Sequence, residues 1–349
     1  KLFKAFEKLS LEAKRNKTKP ILKFMKNKKI NFSTAIKQAM FDSMKLDKKV
    51  IIYGLGVGTS GNIYGTTKGL KEKFGKNRVF DAPASESALT AMGTGMALAG
   101  TRPILIHQRF DFMIYSLDQI VNWISLWSYK SAGKSQIPIT IRAVVGKGWG
   151  QGPQHSKTLH SWFANLPGIS VVYPSSPYEA KGLLLGSIFS NFPTIFFESR
   201  SLHASEEEVP EKPYFLDPTK SFIRKTGKDL TIVGFGPSII NALEVSQKLE
   251  RIKKISCEIV DLRSINPIDE ETILQSVKKT KNLCVIEHGW PNSSVSSDII
   301  SKVSSKVYLR SKPVQICWPN SHIPTAHDLE KKFYFNSEDI IKKILKNFK

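Results

Sequence analysis

The run Ile137-Pro138-Ile139-Thr140-Ile141-Arg142-Ala143-Val144-Val145, followed at once by Gly146-Lys147-Gly148-Trp149-Gly150-Gln151-Gly152-Pro153-Gln154-His155-Ser156, decides the fold. Its first half is apolar at nearly every position and rich in β-branched residues, as a strand covered on both faces must be. Its second half sets four glycines at alternate positions, which lets backbone wrap closely around a ligand. Such a loop leaves the carboxyl end of a strand, where open parallel sheets place their sites. His155 ends the loop and is therefore a candidate functional side chain.

The same pattern continues on either side. Before this run lie β-rich stretches at 49–53, 78–81 and 103–107, and after it at 170–173 and 194–198. Helical stretches separate them at 86–99, 113–129 and 177–190. Strands alternating with helices predict an α/β domain with a parallel sheet covered on both faces. A polar stretch over 204–225, with three consecutive glutamates and Pro210, Pro213 and Pro218, reads as a linker. The alternation then restarts at Leu230 and runs to the last helix at 337–346. We therefore expect two tandem doubly wound domains, 31–203 and a smaller 226–349, behind a basic N-terminal arm over 1–30.

Composition narrows the function. The 349 residues carry a net charge of +22, yet only 10 of the 52 basic residues are Arg. Phosphate readers favour the Arg fork, so the excess reads as a lysine-rich background, and a basic non-catalytic or nucleic-acid-binding protein is the lesser alternative. Three distant cysteines, Cys257, Cys284 and Cys317, match no disulfide framework or metal spacing. The first 30 residues hold 11 basic and 2 acidic side chains and no apolar core of a signal peptide. A cytoplasmic protein is expected, or an organelle-matrix or plastid protein after loss of a transit peptide.

Two phosphate-loop patterns compete for attention. Gly56-Val57-Gly58-Thr59-Ser60-Gly61 follows a strand, with Asp81 20 residues beyond its last glycine, so it fits the dinucleotide fingerprint. The stretch after it is too rich in Gly and Thr for the required helix, which leaves a nicotinamide-dependent dehydrogenase as an alternative. Ala132-Gly133-Lys134-Ser135 ends like a phosphate loop but lacks the first glycine, Ser128 standing there. Pro83-Ala84-Ser85-Glu86-Ser87 follows the 78–81 strand, and Ser85 is a natural helix N-cap with Glu86 in the first turn.

Taken in order, several segments resemble a known family. They are Asp81-Ala82-Pro83-Ala84-Ser85-Glu86, Leu98-Ala99-Gly100-Thr101-Arg102-Pro103, Asp118-Gln119-Ile120-Val121-Asn122, Gln154-His155-Ser156, Pro167-Gly168-Ile169-Ser170-Val171-Val172 and Ala180-Lys181-Gly182-Leu183. Asp261-Leu262-Arg263-Ser264-Ile265-Asn266-Pro267 and Glu287-His288-Gly289-Trp290-Pro291 extend the series into the second domain. From about residue 31 onward the chain resembles the beta subunit of thiamine-diphosphate-dependent 2-oxoacid dehydrogenases, in the transketolase-like group.

The resemblance implies a pyrimidine-binding domain followed by a transketolase C-terminal-like domain, and C–C cleavage next to a carbonyl, in a 2-oxo acid or a ketose. It implies that Glu86 is the carboxylate at the aminopyrimidine of thiamine diphosphate. It places Phe112, with Phe110 nearby, against the pyrimidine, and His155 at the reacting centre. The Gly-Asp-Gly that holds diphosphate and Mg²⁺ in the group occurs nowhere in this chain. An alpha-like partner supplying that half-site in an α₂β₂ assembly is therefore implied, with no metal ligands here. Leu55 and Gly56 stand where the family has adjacent acids, and Ser190 where it has a potassium-supporting Asp. Arg109 replaces a Thr beside His107 and Gln108. With Lys147 and Trp149 in the glycine loop, His107 and Arg109 imply a larger or more anionic substrate than pyruvate. Residues 226–349 hold 19 basic and 14 acidic side chains, and Leu309-Arg310-Ser311-Lys312 replaces an acidic segment on the face where the family docks a lipoyl acyltransferase.

Overall fold

The computed structural model describes residues 26–59, 61–147 and 150–348. The first sheet has seven strands in the spatial order Ser264–Asn266, Ser170–Val172, Thr194–Ser199, Thr140–Val145, Arg102–His107, Val50–Gly54 and Val79–Asp81. Every neighbouring pair is parallel except the first. The second sheet runs Val314–Ile316, Leu283–Ile286, Leu230–Gly234, Cys257–Asp261 and Phe222–Lys225, antiparallel only at its last pair. Parallel pairing demands crossover helices, and these cover both faces. Helices Phe32–Leu46 and Pro177–Phe189 pack on one face over Val50, Ile52, Ile104 and Phe196. On the other face Phe110, Met113, Ile120 and Ile124 cover Ile139, Ile141, Ala143 and Phe197.

Strands Thr140–Val145 and Thr194–Ser199 are buried at every position. A charge in such a strand needs a partner. Arg142 has one: its Nε and Nη2 donate to the two carboxylate oxygens of Glu198 at 2.5 and 2.8 Å.

The two domains are less separate than the sequence implies. Strand Ser264–Asn266 belongs to the second half of the chain but closes the edge of the first sheet beside Ser170–Val172. One hydrophobic core also runs through both, joining Tyr173 and Phe197 to Val233, Phe235, Val260 and Leu262.

The stretch over 204–225 is not a plain linker. Glu206–Pro210 pairs antiparallel with Asn27–Asn31, and Phe222–Lys225 forms the edge of the second sheet. Of the arm over 1–30, residues 27–30 thus lie in a two-stranded ribbon, while 1–25 fall outside the described residues.

The stretch expected as one helix over 113–129 is broken. It contains a tight turn at Ile114–Ser116, a widened π turn at Gln119–Ile124 and a short helix at Trp127–Lys130. Two local demands explain this. Ser116 Oγ leaves its own segment to donate to the Glu86 carbonyl at 2.9 Å. The widened turn, closed by Ser125 N–H to the Ile120 carbonyl, presents the Ser125 carbonyl to Gly168, where a Cβ would sit 2.1 Å from that oxygen. No described helix is long and apolar enough to cross a membrane.

Candidate active site

Four segments leave the carboxyl ends of adjacent parallel strands and converge. Leu55 follows Val50–Gly54, Pro83 to Glu86 follow Val79–Asp81, Gln108 to Phe112 follow Arg102–His107, and the glycine loop follows Thr140–Val145. Between them lies a narrow crevice lined by Leu55, Pro83, Ala84, Glu86, Leu89, Ile106, His107, Gln108 and Phe112. Its walls are mostly apolar with one carboxylate.

Glu86 begins helix Glu86–Leu98, where the helix dipole favours its charge. Ser85 flanks the helix but its side chain makes no capping bond. The Glu86 carbonyl is anchored by Thr90 and Ser116 hydroxyls at 2.8 and 2.9 Å. No ion pair or side-chain hydrogen bond among the described residues uses its carboxylate, which is half-buried in the crevice wall. An unspent carboxylate between apolar walls and an aromatic ring suits a planar heterocycle that needs one charged contact at its edge.

Phe112 lines the crevice, and its ring centroid is 5.7 Å from that of His155. His155 Nδ1 lies 2.9 Å from Asp111 Oδ2, which also accepts from Gln154 Nε2 at 3.2 Å. The Asp111 side chain is 5% exposed and that of His155 35%. A buried carboxylate that holds Nδ1 fixes the ring and leaves Nε2 for chemistry. Asp111 was not singled out in the sequence. Its signal was a carboxylate between two phenylalanines in a buried run, which demands a partner.

Of the other expected residues, one lines the crevice and the rest fall elsewhere or outside the described residues. Phe110 is buried against Phe163 and Phe197 in the core, away from the crevice, because its side chain points opposite to that of Phe112. His107 lines the crevice with its ring 4% exposed, and burial lowers it to about 4, so it is a neutral imidazole at pH 7. Arg109 turns away from the crevice and donates to the Gly146 carbonyl at 3.1 Å. Lys147 reaches across to the ring of Tyr334 in the second domain, 4.8 Å from its centroid. Trp149 lies outside the described residues. The glycine loop also packs on the second domain: at Gly152, with φ +71°, a Cβ would sit 2.6 Å from Thr325 Oγ1.

The second domain holds a different histidine of the first domain. His160 Nε2 lies 2.7 Å from Glu287 Oε1, its Nδ1 2.8 Å from Thr158 Oγ1, and both side chains of the pair are 1% exposed. Glu287 also accepts from Ser296 N–H at 2.7 Å.

Geometry disposes of the dinucleotide alternative. The Gly58 N–H donates to both oxygens of Asp81 at 3.1 Å, so the acid expected to hold a ribose is tied to the loop itself. The loop leads into turns, and the next helix, Leu70–Phe74, is only five residues long. At the expected potassium position, the Ser190 and Ile188 carbonyls accept instead from Arg102 Nη1 at 2.8 and 3.1 Å. Gly56 faces Gln108, whose amide donates to the Leu55 carbonyl at 3.0 Å, so no acid stands there. Leu309 to Lys312 line a groove of about 600 Å³ with Tyr308 and Lys346 on the second domain.

Comparison with known proteins agrees with this geometry. Residues 28–205 match the transketolase pyrimidine-binding domain and residues 220–340 the transketolase C-terminal domain. The beta subunit of acetoin:2,6-dichlorophenolindophenol oxidoreductase from Bacillus subtilis is 34% identical over 89% of this chain and 95% of its own. The mitochondrial pyruvate dehydrogenase E1 component subunit beta-1 from Arabidopsis thaliana is 35% identical over 90% and 88%. Among solved structures, a split-gene transketolase described as an inactive beta4 tetramer aligns with a TM-score of 0.75 at 19% identity, over 91% of this chain and 97% of that one. Two sheets, two matched domains and full-length relatives place this chain in the transketolase-like family of dehydrogenase beta subunits.

Proposed function

We propose that this chain is the beta subunit of a two-chain thiamine-diphosphate enzyme, a 2-oxoacid dehydrogenase or a close variant, that cleaves a C–C bond next to a carbonyl. The relatives named as beta subunits of pyruvate dehydrogenase and of an acetoin oxidoreductase support the reaction class and an alpha partner. The finer assignments are ours. The alpha chain holds the diphosphate and Mg²⁺ in an α₂β₂ assembly, and this chain supplies the pyrimidine side.

The observation that carries this reading is the Glu86 carboxylate, without a partner among the described residues, in an apolar crevice that Phe112 walls. The cofactor, when bound, supplies the carbanion and the electron sink. Glu86 binds the ring nitrogen of the pyrimidine and favours its protonated form. Phe112 sets the plane of the ring. His155, oriented through Nδ1 by Asp111, meets charge that develops on the substrate oxygen. Neutral His107 at the crevice offers a hydrogen bond without charge.

Glu86→Gln tests the assignment in the assembled complex. The side chain keeps its size and loses its charge, so NMR should show proton exchange at the thiazolium C2 slowed by about a hundredfold or more, at 1.4 kcal/mol per tenfold. Exchange near the unmutated rate would reduce Glu86 to a helix-start residue.

A further inference from the structure

Behind the crevice stands a basic cluster that this function leaves unused. Arg109 is 3% exposed, and beyond its bond to Gly146 its Nε and Nη2 have no acceptor within hydrogen-bonding distance among the described residues. Those two N–H groups form the edge of guanidinium that grips a carboxylate side-on. The same molecule shows that grip completed, since Arg142 uses its Nε and Nη2 to hold both oxygens of Glu198.

The surroundings of Arg109 are cationic and aromatic. The guanidinium carbons of Arg109 and Arg200 lie 5.9 and 4.9 Å from the centroid of the Tyr64 ring. His203 meets that ring edge-on at 5.9 Å, is 4% exposed, and has no partner at either ring nitrogen among the described residues. Burial, then Arg200, Arg142 and Arg109, lower its basicity to about 3, so it is a neutral donor among cations. Glu198, on the strand beside Arg142, is already held by that residue. Backbone geometry points the same way. Asn62, Ile63 and Tyr64 take φ of +42°, +45° and +58°, a left-handed turn that a β-branched residue such as Ile63 rarely adopts. That turn delivers the Tyr64 ring to the two guanidinium groups.

We infer that Arg109, with His203 and the Tyr64 ring beside it, is a buried site for a small oxyanion of the carboxylate type, held side-on through Nε and Nη2. A buried cation without a counter-charge is unfavourable, and a carboxylate supplies both the charge and two acceptors of the right spacing. The ligand is small because Arg109 and His203 are both almost wholly enclosed. The site is separate from the crevice yet mechanically joined to it. Arg109 immediately precedes the Phe110–Met113 turn that bears Asp111 and Phe112, and its Nη1 holds Gly146 at the root of the His155 loop.

Thermal unfolding of the full chain assembled with its alpha partner tests this, with formate as the probe. Formate is raised from 1 to 100 mM at constant ionic strength against the bulky anion of HEPES. The midpoint should climb by about 2–4 °C by mass action, and Arg109→Gln should leave it flat. An equal climb in Arg109→Gln, or none in the unmutated complex, overturns the site. A climb seen in the isolated chain but lost on assembly also overturns it, because a partner carboxylate would then be the occupant. Should Arg109→Gln not fold, crystals of the unmutated complex soaked in bromide give the answer. An anomalous peak within hydrogen-bonding reach of Arg109 Nε and Nη2 is expected, and its absence at 100 mM bromide counts against the proposal.

Discussion

His155 and His160 stand five residues apart after the same glycine-rich strand end, and each meets a carboxylate. Their settings differ in one respect that matters. The His155–Asp111 pair joins two loops of one domain and keeps 35% of the histidine side chain exposed. The His160–Glu287 pair joins two domains and is sealed, with Tyr173 and Phe235 rings around it. The same two functional groups are thus open to solvent in one place and sealed in the other, and on the proposed function the open pair handles the proton while the sealed pair acts as a bolt. A histidine held at one nitrogen with the other accessible can trade a proton. His160, held at both nitrogens by Thr158 and Glu287, is sealed from solvent at 1% exposure.

The comparison breaks most sharply at His155. His155→Ala should lower turnover of the complex by about 10²–10⁴-fold, the range for losing a positioned acid or base, while the unfolding midpoint falls less than in His160→Ala, because water can enter the place of a ring that is 35% exposed and Asp111 keeps Gln154. Equal losses of turnover and of cofactor affinity would mark it as structural. His160→Ala should do the reverse. Removing one partner leaves Glu287 buried with only Ser296, at a cost of about 3–5 kcal/mol in denaturant unfolding. A stability unchanged by that substitution would mean the bolt holds nothing.

Asp111 sharpens the contrast further. Asp111→Ala frees the His155 ring and should reduce turnover about 10–100-fold with KM little changed, whereas Asp111→Asn, which still offers an acceptor, should recover most of it. Steady-state kinetics of the pair decide whether Asp111 positions His155 or only fills space.

Acid gives the mildest test. Burial, with Lys147 and His160 adding to it and Glu287 opposing, lowers His288 to about 4, and burial does the same to His107. The unfolded chain binds those protons near pH 6.5, so stability falls as pH drops from about 6.5 to about 4, by about 1.4 kcal/mol per pH unit for each histidine. Burial works to raise Glu287, but His160 and Ser296 bring it below the usual carboxylate range. Its contribution is present above the unfolded carboxylate value and is lost only as pH falls through the lower folded one. Unfolding followed from pH 7 to 3 should therefore show the histidine phase first and the Glu287 phase last.

Much of this was legible before any coordinates. The nearly all-apolar run at 137–145 announced a doubly covered central strand, and the position of Glu86 after a strand and at a helix start placed a carboxylate at the sheet's carboxyl edge. What stayed hidden was long-range. Asp111 and His155 are 44 positions apart and His160 and Glu287 127, and nothing in local spacing says that they meet. Phe110 and Phe112 look equivalent in sequence, but a single turn sends one ring into the core and the other to the crevice. Glu206–Pro210 looked like linker because strand pairing with Asn27–Asn31 is a property of both segments together and of neither alone.

The edge strand Ser264–Asn266 has a consequence for how the chain is made. Ser264 bonds to Val171 across 93 positions, so the other six strands of the first sheet are translated well before its last strand leaves the ribosome. Through that interval the backbone of Ser170–Val172 lies open on one side, a template for any passing strand. Synthesis, rather than the finished protein, is the moment at which this molecule is most exposed to aggregation.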